Sequence, residues 1–152
     1  MREVGAAMAE ENPYTILVVD DNPELLNLIA ESLSLLGKFT VVTAVNGVEG
    51  LEKYYEVHPH CMVIDVKMPG LDGYQLVRAL RGDASSADTP LVILTAMVQE
   101  KDRFAGFAAG VDQYLLKPIK PQALVAAIQR AVTISVESRR QAMQRLVEME
   151  GA

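Results

Sequence analysis

An α/β fold built on a single doubly wound, five-stranded parallel sheet, with helices on both faces and an extended C-terminal helix, is predicted by three observations. Four short apolar runs, Ile16–Val19, Cys61–Ile64, Leu91–Leu94 and Tyr114–Leu116, are unbroken rather than alternating. Such runs read as strands buried on both faces. Segments with helical apolar spacing lie between the strand-like runs, so strand and helix alternate five times along the chain, the pattern of a helix-covered parallel sheet. Each of the four runs also ends in a polar residue able to do chemistry: Asp20-Asp21, Asp65, Thr95 and Lys117. Right-handed crossovers leave few topologies. One of them, strand order 2-1-3-4-5, puts the first strand beside the third at the switch point where ligand crevices form.

The elements follow in order. Residues 1–13 are small or acidic, without apolar period, and are expected to form a flexible arm. The first strand is Thr15–Val19. Asn22-Pro23-Glu24 opens a helix with proline in its first turn. Leu25, Leu28, Ile29, Leu33 and Leu36 form the apolar stripe of this helix, and Gly37 stops it. Phe39–Thr43, rich in β-branched residues, is the second strand. Asn46 caps a second helix through Glu56, broken by His58-Pro59-His60. The third strand is Cys61–Val66, with a turn at Met68-Pro69-Gly70. Asp72 and Gly73 read as cap and turn before a third helix through about Leu80. A polar loop, Gly82–Pro90, precedes the fourth strand. A helix from about Gln99 to Ala109 ends at Gly110, and Gln113–Leu116 is the fifth strand. Pro121 starts the last helix. One domain is expected over residues 14–132, with a helical extension over 133–152, where neither Gly nor Pro interrupts until Gly151.

The 152 residues are enough for one domain with a sizeable core. Half are hydrophobic and 22% are charged, which is ordinary globular composition. A net charge of −6 argues against an electrostatic grip on nucleic acid or an anionic membrane. No membrane span and no secretory signal are visible. The lone Cys61 reads as a buried reduced thiol, which fits a cytoplasmic protein.

Asp20, Asp21 and Asp65 can be neighbours if their strands are adjacent. Crowded carboxylates repel, so either some pKa values rise or a cation fills the site. Mg²⁺ suits an open all-oxygen site that takes a phosphate oxygen (Mn²⁺ is the alternative ion). A nearby ammonium, Lys117, and hydroxyl, Thr95, are what a transferring phosphoryl group needs. Asp65 is the best nucleophile candidate, because it stands alone while Asp20 and Asp21 form a pair.

On these residues the chain resembles a receiver domain of the two-component response-regulator family, whose fold is flavodoxin-like. The segments that carry the resemblance are Ile16 to Asp21, Val63 to Gly73, Leu94-Thr95-Ala96 and Gly110 to Pro118, in that order and at sensible spacing. The resemblance implies a phosphorylation-activated switch in a two-component or phosphorelay system. It would be a phosphoacceptor that assists its own phosphorylation and dephosphorylation, and not an enzyme. Asp65 would take the phosphoryl group from a sensor histidine kinase or a histidine phosphotransfer protein. Asp20, Asp21, Asp65 and the backbone carbonyl of Lys67 would hold Mg²⁺. Lys117 would pair with Asp65, and its bond to Pro118 would be cis, an isomer accessible before proline. Thr95 would move to the phosphoryl group, Tyr114 would turn inward, and a face for a downstream protein target would change. Lys67 and Met97 would tune the rate. With only residues 133–152 after the matching region, a stand-alone receiver without a DNA-binding output domain is expected. The last helix would either form a homodimer or begin a linker.

Two other functions fit parts of the pattern. A haloacid-dehalogenase-like phosphatase also uses an aspartyl phosphate, Mg²⁺, Thr and Lys, but needs an acid two residues after its nucleophile, where this chain has Lys67. A flavin or nucleotide binder needs a Gly-, Ser- or Thr-rich phosphate loop after the first strand, where this chain has Asp-Asp-Asn-Pro. His58, His60 and Cys61 raise the idea of a soft-metal site, but no second ligand cluster accompanies them.

Overall fold

The computed structural model describes residues 13–96 and 110–151. Five parallel strands stand in the order β2-β1-β3-β4-β5. They are β1 (Thr15–Val19), β2 (Thr40–Ala44), β3 (Cys61–Asp65), β4 (Leu91–Thr95) and β5 (Gln113–Leu116). The helices are α1 (Pro23–Gly37), α2 (Gly47–Val57), α3 (Gly73–Arg81) and α4 (Pro121–Gly151). The expected arm, the expected helix over 99–109 and Met97 lie outside the described residues, Pro13 excepted.

Successive strand residues point to opposite faces, so each central strand feeds two cores. Ile16, Val18, Val63, Val92 and Leu94 pack under α1 and α4, against Ile29, Leu33, Leu124 and Ile128. Leu17, Val19, Met62, Ile64 and Ile93 pack under α2 and α3, against Tyr54, Leu76 and Leu80. The three central strands are therefore buried on both sides, which is why their sequences show no alternation. Val19 pairs with Ile64, and Asp65 pairs with Leu94. This register sets the ends of β1, β3 and β4 side by side.

Each described helix before α4 starts on a capping side chain. Asn22 accepts from the amides of Glu24 and Leu25, Asn46 from that of Glu49, and Asp72 forms a capping box with Gln75. At the other end of α1, Lys38 takes the left-handed conformation with φ 60°, and Gly37 is the last helical residue. Glycine is needed at 37 because Phe39 folds back beneath it. Phe39 is thus buried outside β2, which begins one residue later than expected. The expected stripe of α1 is also corrected. Leu26, Ile29 and Leu33 are its buried leucines and isoleucine, whereas Leu28 and Leu36 are 60% and 50% exposed. The helix is leucine-rich on more than one side, and packing on the sheet selects among the alternatives.

Strand β3 ends at Asp65 rather than Val66, because the Val66 carbonyl turns away to accept from the Gly73 amide at 2.9 Å. Gly73 is the first residue of α3 and not a turn residue. The loop before β4 is polar in sequence yet partly internal: Ser86 and Thr89 are buried, and Thr89 Oγ1 lies 2.7 Å from the Tyr54 hydroxyl. Helix α4 runs unbroken for 31 residues. Among the residues of this helix whose burial is described, Ala131 and Val132 are the last buried, and Ile134 beyond them is exposed. Among the described residues no helix is long and apolar enough to cross a membrane.

Candidate functional site

Parallel strands of matched register deliver their last residues to one edge. Asp20 follows β1, where its amide donates to the Ala44 carbonyl of β2 at 3.1 Å. Asp65 closes β3, Thr95 closes β4, and Lys117 follows β5. The Lys117 amide donates to the Thr95 carbonyl at 2.8 Å, which locks the ends of β4 and β5 together. Pro118 follows through a cis peptide bond.

One carboxylate oxygen each from Asp20, Asp21 and Asp65 lies within 4.8 Å of the other two. Asp20 and Asp65 are buried at 2% and 6% exposure, while Asp21 faces solvent. Lys117 Nζ stands 3.4 Å from Asp20 Oδ2 and 3.4 Å from Asp65 Oδ1. These are long for charge-assisted hydrogen bonds, which run at about 2.8 Å, so the ammonium bridges two acids without committing to either. Burial above all, and then the charge of Asp20, hold the Asp65 carboxyl above its usual range, with Lys117 pulling it partly back. Asp20 has one further partner, the Asn22 amide, which donates to Oδ1 at 2.9 Å.

The donor set is all oxygen, acidic and open on the Asp21 side, which fits a hard divalent cation such as Mg²⁺. Thr95 is fully buried at the same edge. Tyr114 is half-buried and pairs in register with Ile93, on the face of the sheet covered by α2 and α3. Lys67 is exposed in the loop after Asp65. Met97 lies outside the described residues.

Two contributors to this edge were not read as site residues from sequence. Gly73 belongs to the site because a Cβ there would collide with the Asp65 carbonyl oxygen and lie 2.7 Å from Val66 Cα. In sequence Gly73 closes the segment Val63 to Gly73 that carries the family resemblance, and it read only as a turn after a good cap. Tyr74, the next residue, brings its hydroxyl to 3.2 Å from that of Tyr114. Nothing local in the sequence could reveal a partner 40 residues away.

The histidines do not join Cys61 in a metal site. His60 Nδ1 accepts from the Thr15 amide at 3.0 Å. Burial pushes the Cys61 thiol well up, away from the thiolate a metal would need. Among the described residues the three aspartates form the one group able to hold a cation.

The family model for the response regulator receiver domain matches residues 16–129. A probable transcriptional regulator, ycf27, from Cyanophora paradoxa is 40% identical over 119 residues, covering 78% of this chain and 48% of its own length. The transcriptional regulatory protein PrrA of Mycobacterium bovis is 43% identical over 113 residues, 74% of this chain and 47% of its own. The chain thus spans about half the length of these curated relatives. Among solved structures, the Vibrio cholerae chemotaxis protein CheY4 superposes with a TM-score of 0.73 at 30% identity, covering 78% of this chain and 98% of that one. With an acid-lined strand edge on a sheet of this order, the chain belongs to the receiver domains of two-component response regulators.

Proposed function

We propose that this receiver accepts a phosphoryl group on Asp65 from a phosphohistidine of a sensor kinase or phosphotransfer protein, and that the change at Asp65 alters the docking of a downstream protein. The observation that carries this reading is the group of three carboxylates with a single ammonium 3.4 Å from two of them. A purely structural edge would gain nothing from that crowding.

In the transfer, an Asp65 carboxylate oxygen attacks phosphorus. The new O–P bond forms as the N–P bond breaks, and the electron pair leaves with the imidazole nitrogen of the donor, which is then protonated. Asp20, Asp21 and Asp65, with the Lys67 carbonyl that the family resemblance implies, would hold Mg²⁺. When bound, the ion supplies positive charge for the phosphoryl oxygens. Lys117 offsets part of the negative charge of Asp20 and Asp65 before transfer, and its ammonium is placed to follow the negative charge onto the phosphoryl group. The Thr95 hydroxyl then moves to that group and Tyr114 turns inward, a local charge change read by a bistable element. The same residues are proposed to assist hydrolysis of the aspartyl phosphate.

A donor must approach over this edge. An apolar groove of about 260 Å³, lined by Leu25, Leu28, Ile29, Ile119 and Leu124, adjoins Lys117 and offers it a surface. The relatives named as transcriptional regulators continue well beyond the matched segment, so they give the expected stand-alone arrangement no support. A cytoplasmic location, where such donors act, accords with this reading.

Acetyl phosphate with Mg²⁺ tests it by intact mass. The expected result is one phosphoryl increment, removed by hydroxylamine and absent from Asp65→Ala. No increment, or an equal increment on Asp65→Ala, overturns the proposal.

A further inference from the structure

We infer that Tyr74 is a positioning residue for Tyr114, and that it ties the switch tyrosine to the loop carrying the phosphoacceptor. The inference rests on the proposed reading of Asp65 and Tyr114 and extends it to a residue outside the acid cluster.

Tyr74 sits on a rigid base. It is the second residue of α3, whose start is fixed by the Asp72–Gln75 capping box. The preceding Gly73 donates its amide to the Val66 carbonyl at 2.9 Å and lies so close to Asp65 and Val66 that no side chain fits between. A displacement of the Asp65 backbone is therefore passed directly to the first turn of α3. Tyr114 sits on β5, three residues before Lys117. Tyr114 and Tyr74 both pack against the core on the face covered by α2 and α3, and their two hydroxyls are 3.2 Å apart.

This separation is long for a hydroxyl pair, which favours about 2.8 Å. The bond is thus weak enough to form and break as the switch operates. Tyr114 is half-buried and packed against the core on this face, and the Tyr74 hydroxyl holds its ring on the side toward which it is proposed to turn. Strand β5 then meets the acceptor by two routes: directly through Lys117, and through Tyr114 to Tyr74 and the α3 start.

The test is a double-mutant cycle read as beryllofluoride affinity in the presence of Mg²⁺, by calorimetry on the full chain. Tyr74→Phe removes one oxygen and keeps the ring. It is expected to weaken affinity by about two- to tenfold, the range of one net hydrogen bond, and to have almost no effect in the Tyr114→Phe background. Equal effects in the two backgrounds, unchanged affinity or tighter binding would overturn the inference while leaving the phosphoacceptor reading intact. If the native chain does not bind beryllofluoride, both fail. A second measurement needs no folded variant. With 3-fluorotyrosine incorporated, beryllofluoride should shift the ¹⁹F signals of Tyr74 and Tyr114 together in the native chain, and a shift of Tyr114 alone sinks the coupling.

Discussion

The two ends of the sheet treat charge in opposite ways. At the amino ends of β4 and β5, Arg81 is surrounded by acceptors. Its Nε donates to the Gly110 carbonyl at 2.9 Å, and its Nη1 to the Thr89 and Ala87 carbonyls at 2.7 and 3.0 Å. Its Nη2 reaches Asp112 Oδ2 at 3.0 Å, and the same oxygen accepts from the Leu91 amide at 2.8 Å. One cation meets one carboxylate, and the carbonyls of two loops close around them. At the carboxyl ends, three carboxylates share one ammonium at distances too long for firm hydrogen bonds. The first arrangement is complete as it stands. The second carries excess negative charge that a cation or a covalent change can relieve. Structure is stored at one edge and responsiveness at the other.

The largest effect is expected where the charges are already balanced. Arg81→Met takes the cation from the Asp112 carboxylate, which keeps the Leu91 amide, and takes the donor from the carbonyls of Gly110, Ala87 and Thr89. Both partners of the pair keep some solvent contact, so the cost is about 2–3 kcal/mol rather than that of a fully buried pair. Urea unfolding would show it as a lowered midpoint at unchanged slope. Acetyl phosphate labelling of the folded variant should be little changed. A loss below about 0.5 kcal/mol, the level of an ordinary surface substitution, would break the contrast between the two ends.

At the acid edge the sign reverses, because removing a charge there should stabilise the protein. In metal-free buffer near neutral pH, Asp65→Asn is expected to melt a few degrees above the native chain. The Asp65 carboxyl is held above its usual range by burial and by Asp20. Between the ordinary carboxylate range and that raised value, the folded chain keeps a proton the unfolded chain has lost. Stability relative to the variant therefore falls as pH rises through this window and is level above it. Mg²⁺ should raise the melting temperature of the native chain more than that of Asp65→Asn. A variant that melts lower at neutral pH, or a native chain that gains stability relative to it on alkalinisation, would contradict the picture of an acid edge under repulsion.

The contrast also explains what the sequence disclosed. Asp20, Asp65, Thr95 and Lys117 were legible because each follows an unbroken apolar run, and parallel strands put such positions at one edge whatever the details of packing. The Arg81–Asp112 clamp was not legible, because its members lie 31 residues apart and neither ends a strand. The Tyr74–Tyr114 pair was hidden for the same reason. In α1 the difficulty was excess of signal: Leu25, Leu26, Leu28, Ile29, Leu33, Leu35 and Leu36 satisfy more than one helical stripe, and contact with the sheet and α4 decides for Leu26, Ile29 and Leu33. Strand ends shifted by a residue where a backbone turn intervened, at Lys38 before β2 and at Val66 after β3.

The smallest expected effect lies at the rim of the acid edge and separates charge from bulk. Lys67 is exposed, two residues after Asp65, in the loop that carries the proposed metal-binding carbonyl. Water that hydrolyses an aspartyl phosphate must reach phosphorus opposite the Asp65 oxygen. A long cation beside that path has two ways to act. Its methylene stem can obstruct the water, or its ammonium can draw phosphoryl oxygens away from Lys117. Lys67→Ala removes both and should change the lifetime of the phosphorylated form by about two- to fivefold, less than about 1 kcal/mol in the barrier. Lys67→Met keeps the length without the charge. If obstruction governs, the lifetime of this variant stays near the native one. If charge governs, it follows Lys67→Ala. Loss of phosphoryl label after rapid removal of acetyl phosphate measures all three rates, and identical rates would show that the rim cation plays no part in the chemistry at Asp65.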